Sequence, residues 1–140
     1  MILLYANEDE VRYVDYEPKR CIGIYAHILL EQCFFPNFLY GIPFPKEFIL
    51  FGCSGWRGSR KAAKYNRLYK WRPDSPYLVD MESKKVYDEC KKHNIKFTSI
   101  RYIIDLDRGK VMPTGINHFW RKFQHRRMQL KFNKYLENLK

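Results

Sequence analysis

Apolar and polar positions along the chain fall into blocks that change period several times. MILLYA and EVRYVDY are separated by Asn7-Glu8-Asp9. Both runs favour extended structure and the triplet favours a turn, so a β-hairpin is predicted at the start. Pro18 suits the first turn of a helix, where a missing N–H costs nothing. From Cys21 to Phe35 nearly every helical face is apolar, which predicts a buried central helix stopped by Pro36. PNFLYGIPFPKEF, with its three prolines, reads as an ordered aromatic loop.

EFILFGC is a short apolar run and predicts a buried strand. Gly52, Gly55 and Gly58 follow, and Ser59 is placed to cap a helix reaching Trp71, beyond which Pro73 and Pro76 break the pattern. YLVDM predicts a short strand and ESKKVYDECKKHN a helix ending near Asn94. KFTSIRYIIDL with DRGKVM predicts a hairpin, with Asp105 and Asp107 as turn residues and Gly109 supplying positive φ. One long helix fits from Ile116 onward, with two apolar faces: Ile116, Phe119, Trp120, Phe123 and Leu130, then Met128, Phe132, Tyr135, Leu136 and Leu139. The offset between them suggests either a bend near Arg126–Arg127 or an end that packs on something other than its own domain, such as a second copy. The order of elements is not a regular β–α alternation. The expected fold class is α+β: one domain over residues 1–140, a mixed or antiparallel sheet, a buried central helix and a long basic C-terminal helix.

Charge changes the picture. The net charge is +11, but residues 1–50 carry 4 basic and 7 acidic side chains, while residues 51–140 carry 22 and 8. Residues 52–73 and 108–136 contain no acid at all. Acid-free basic blocks build a potential that attracts polyanions. Heavy use of Ile, Lys, Tyr, Phe and Asn fits an AT-rich source such as a virus or phage.

The glycine stretch supplies a candidate phosphate turn of Gly55, Gly58 and Ser59, since a strand running through glycines into a helix start presents backbone donors to an anion. Its spacing matches neither the Walker nor the dinucleotide pattern, so no cofactor is implied. On the predicted helix Arg60, Lys64, Arg67 and Trp71 share one side, with Arg57 beside the turn; charge for a backbone and a π-face for a base suit a single strand. Arg121, Lys122, Arg126 and Arg127 provide the second basic segment. The expected function is nucleic-acid binding, with RNA or single-stranded DNA favoured because no duplex-reading motif is visible.

Two alternatives accompany that expectation. A phosphodiester-cleaving nuclease would use His118 and His125, seven residues apart beside Arg121, or a metal held by Asp80 and Glu82. A basic interaction protein would dock on an acidic protein partner. Cys21, Cys33, Cys53 and Cys90 lack zinc-site spacing, so no metal is expected, and they read as reduced thiols. The first residues have no basic leader region and no apolar run is long enough to span a bilayer, which predicts an intracellular protein without membrane contact.

Overall fold

The computed structural model describes residues 1–59, 61–75, 77–80, 82–106 and 114–139. Six strands and three helices follow in the order β1 (Ile2–Tyr5), β2 (Lys19–Arg20), α1 (Ala26–Tyr40), β3 (Glu47–Trp56), β4 (Tyr69–Lys70), β5 (Leu78–Val79), α2 (Ser83–Lys92), β6 (Lys96–Leu106) and α3 (Thr114–Asn138). The sheet runs β2-β1-β3-β6-β4, with β5 pairing the far end of β3. Strands β2, β1, β3 and β6 are parallel, and β4 and β5 are antiparallel additions. The mixed sheet with three helices agrees with the expected class.

Alternation along β3 explains its unbroken apolar run. Phe48 and Leu50 point to the face covered by Ala26, Leu30 and Phe34 of α1 and by Val86 and Cys90 of α2. Ile49 and Phe51 point to the opposite face, where Met128, Phe132 and Leu136 of α3 cover them. A parallel strand buried on both faces has no polar side to show. The expectation that the end of α3 packs outside its own domain is therefore corrected: Met128, Phe132 and Leu136 are buried against the chain's own sheet, while Phe119, Phe123 and Leu130 stay exposed.

Other local expectations also change. The N-terminal hairpin is absent: after β1 the chain enters a 3-10 turn, Glu8–Glu10, closed by a capping box between Asn7 and Glu10. The backbone of EVRYVDY is instead held by α3, since Gln129 accepts from Tyr13 N–H and Asn133 donates to Tyr13 O. Helix α1 starts later than Pro18 suggested, passes through Pro36, and ends where Gly41 takes a left-handed φ of 67°. It buries one stripe rather than every face.

The basic helix predicted over residues 59–71 does not form. Carbonyls that a helix would consume are taken by α3: Tyr65 O accepts from Gln124 Nε2 at 2.6 Å and from Arg127 Nη2 at 2.8 Å, and Asn66 O accepts from Lys131 Nζ at 2.6 Å. Tyr69 and Lys70 are then drawn into the sheet beside β6. Gly55 lies inside β3, paired with Val79, and not in a turn. Asp105 is also a strand residue, its backbone opposite Gly55. Gly109 and the expected second hairpin strand lie outside the described residues. No helix among the described residues is long and apolar enough to cross a membrane.

Candidate active site

Parallel strands leave their C-terminal ends on one edge of the sheet, and that is where open sheets of this kind hold ligands. Four ionisable residues gather there: buried Glu10 just after β1, half-buried Asp80 and Glu82 just after β5, and buried Arg101 within β6.

Glu10 is 3% exposed. Its carboxylate accepts from Asn7 N–H at 2.9 Å through Oε1 and from Cys53 N–H at 2.5 Å through Oε2. The capping box therefore turns Glu10 back across the end of β3. Gly52 makes this possible, since a Cβ there would fall onto the Glu10 carboxyl group.

Arg101 is 1% exposed in a strand otherwise built for the core. Its Nη2 donates to Cys53 O at 2.8 Å, its Nε lies 3.6 Å from Asp80 Oδ2, and Nη2 lies 3.8 Å from Glu82 Oε2. Nε and Nη1 of Arg101 and Oδ2 of Asp80 have no hydrogen-bond partner within the chain. Buried donors and acceptors are rarely left so, and each such group points to a water or ligand. Asp80 Oδ1 accepts from Glu82 N–H at 3.1 Å and Ser83 N–H at 2.7 Å, fixing the start of α2. Buried Ser83 shares a 2.8 Å hydrogen bond with Ser99 of β6, which locks α2 to the sheet.

Burial raises the Glu82 carboxyl above its usual range; the Arg101 guanidinium offsets part of this, and Asp80 and Glu10 add to it. Burial, then the nearby Glu10 carboxylate, raises the Cys53 thiol, so it stays protonated. Three carboxylates around one guanidinium form an acidic cluster inside a strongly basic chain.

The sequence singled out Asp80 and Glu82, but as metal ligands. They instead face a guanidinium, and among the described residues no group of three or more His, Cys, Asp or Glu is placed to hold a metal. His125 shares a 2.5 Å hydrogen bond between its Nδ1 and Tyr102 OH, and the His118 side chain lies outside the described residues. Glu10 and Arg101 were missed. Asn7 followed by glutamate three residues on is capping-box spacing, and a lone arginine in an apolar strand is a charge that needs a reason.

The phosphate-turn and basic-face residues are scattered. Gly58 packs against Trp56 and Tyr77, where a Cβ would meet both rings at 3.0 Å or less, and Ser59 O accepts from Trp56 Nε1. Trp71 is half-buried, edge-on to Tyr87 and Phe97. Arg67 lies over Tyr69 and Arg126 over Tyr13, while Arg127 bonds Tyr65 O and Gln124 Oε1. Arg57, Lys64 and Lys122 are exposed and Arg121 is half-buried. Arg60 lies outside the described residues.

No protein-family model matches the sequence. Comparison with curated proteins also returns no match. Solved structures do match. Two structures of a Chlamydia trachomatis protein described as MTAN align with a TM-score of 0.64, at 11% and 13% identity, over 99% of this chain and 95% of theirs. A Borrelia burgdorferi B31 chain, assigned as a 5′-methylthioadenosine/S-adenosylhomocysteine nucleosidase and bound to adenine, aligns with a TM-score of 0.62 at 12% identity, over 98% of this chain and 99% of its own. These neighbours overturn the expectation of an RNA- or DNA-binding viral factor.

Proposed function

We propose that this chain hydrolyses the N-glycosidic bond of an adenine nucleoside carrying a 5′-thioether, the class for which the Borrelia neighbour is named. The observation that carries this reading is the cluster of buried Glu10 and Arg101 with half-buried Asp80 and Glu82 at the C-terminal edge of the parallel strands. Cleavage breaks the bond from the sugar C1′ to the base nitrogen, whose electrons leave with the base, and a water oxygen bonds to C1′. Positive charge develops on the sugar in between. Three carboxylates against one guanidinium leave net negative charge to meet it, and fixed charges in a dry site do so without reorganising.

Glu10 is the base that takes the proton of the attacking water, with two backbone N–H donors holding it in position. The free donors of Arg101 suit the water and a sugar hydroxyl. Glu82, the most exposed of the three acids, accepts from the sugar hydroxyls, and Asp80 positions both Glu82 and Arg101. The departing base takes up a proton as it leaves. The four free cysteines accord with the intracellular setting that we assign to the protein.

The test is release of free adenine from 5′-methylthioadenosine by purified protein. Adenine should appear, and Glu10→Gln should lower kcat by about 10²–10⁴. No release, or release unchanged in Glu10→Gln, overturns the reading.

A further inference from the structure

At the N-terminal edge of the sheet, away from the acidic cluster, the end of α2 and the starts of β3 and β6 enclose a cleft of about 460 Å³. That volume lies in the range of small-molecule sites. Lys46 O accepts from Lys96 N–H at 3.1 Å, which sets these two lysines side by side, and Lys91 in the last turn of α2 lines the same cleft. Tyr87, Asn94 and Phe97 line it as well. We propose that this cleft binds a phosphate monoester attached to a planar ring, such as a nucleoside monophosphate.

Charge argues for the phosphate. Lys96 is paired with Glu47 at 3.2 Å, and Lys92, beside Lys91, with Glu89 at 3.1 Å. Among the described residues Lys46 and Lys91 form no ion pair, so two ammonium groups are left uncompensated. A phosphate monoester carries a charge of about −1.5 to −2 at pH 7, which matches two cations where a carboxylate would leave one over. A cation in the last turn of a helix commonly answers the open carbonyls there. Those of α2 are already met by backbone donors: Cys90 O accepts from Ile95 N–H at 2.9 Å and Lys91 O from Asn94 N–H at 3.3 Å. The Lys91 ammonium is therefore left for a ligand.

The lining argues for the ring. Tyr87 and Phe97 are half-buried with ring centroids 6.4 Å apart, and Trp71 packs edge-on against both, at 5.7 and 6.3 Å. Their planes are fixed before any ligand arrives. Aromatic side chains suit any base as a stacking partner, because every base has a π-face. Asn94 holds a left-handed φ of 55°, and its amide carries both donor and acceptor, as the edge of a base does. The acidic cluster would repel such a ligand, and it stands at the other end of the same strands. At the usual rise per residue, Cys53 and Arg101 lie roughly 15–20 Å along β3 and β6 from Glu47 and Lys96.

The experiment is titration calorimetry of the full chain with uridine 5′-monophosphate, inorganic phosphate and uridine, at low salt and about pH 7.5, where the monoester is close to a dianion. Uracil rather than adenine keeps the probe out of the proposed nucleosidase site. The nucleotide should bind once per chain with a Kd below about 1 mM, at least about tenfold tighter than either fragment. Lys46→Gln with Lys91→Gln should weaken it about tenfold or more. Tyr87→Leu should weaken the nucleotide and leave phosphate binding as it was. Lys64→Gln with Lys122→Gln removes the same charge elsewhere and should change nothing. All four lysines are exposed, so far-UV circular dichroism should stay the same in both double variants. No binding, a fragment that binds as tightly as the nucleotide, unchanged binding in the Lys46 and Lys91 variant, or equal losses in the two double variants overturns the proposal.

Discussion

At Gly52 a Cβ would collide with the Glu10 carboxyl group and come within 3.3 Å of Arg101 Nη1. Both neighbours are buried and held by backbone partners, so neither can swing into solvent. Gly52→Ala should therefore cost about 1–3 kcal/mol of stability from overpacking and lower the proposed nucleosidase activity by more than the lost stability explains, checked by thermal unfolding beside kcat. Glu82 carries a pH signature. Its folded pKa is raised above 4.5, mainly by burial, so the proton binds the folded state more tightly. The stabilisation is fully present below 4.5 and is lost as pH rises through the raised folded value. Glu82→Gln keeps a neutral group there, so its Tm should exceed that of the parent at pH 7, with the gap closing in acid, while activity falls. Asp80 and Glu82 were legible in the sequence as paired acids. Glu10 was hidden at the end of a run of three acids beside a turn, and only the fold shows which of Glu8, Asp9 and Glu10 turns inward.

Among the elements, those with one dominant period were readable: β3, α2, β6 and α3 form close to where apolar spacing put them. The failures lie where α3 overrides local preference. Gln129 accepts from Tyr13 N–H and donates to Asp9 O, both at 2.6 Å, and Gln124 and Arg127 take Tyr65 O. These long-range bonds replace the strand expected before α1 and the helix expected after Ser59, and no pattern within either segment encodes a partner so far along the chain. Gln129 is wholly buried and braces the turn that carries Glu10. Gln129→Leu should leave two backbone groups unpaired and cost about 2–4 kcal/mol, with faster hydrogen exchange at Tyr13. Unchanged exchange there would show that the turn holds itself.

For the whole molecule, net charge misdirected the functional expectation. A total of +11 describes the surface, whereas the site is built from acids that burial removes from that surface. Summed charge says what a protein drifts toward, and not what its interior is shaped to hold. The order of strands has a kinetic consequence. Ile2 pairs with Phe48, and Phe48 pairs with Phe97, so each central rung joins distant parts of the chain. Every such pairing closes a long loop before any contact rewards it, and topologies of this kind fold on the order of milliseconds or longer. Glu10 follows β1, Cys53 lies in β3 and Arg101 in β6, so no partial structure brings the three together. On dilution from urea, recovered activity should rise together with the tryptophan fluorescence of the folded sheet, and activity that arrived first would mean that the catalytic groups find one another without it.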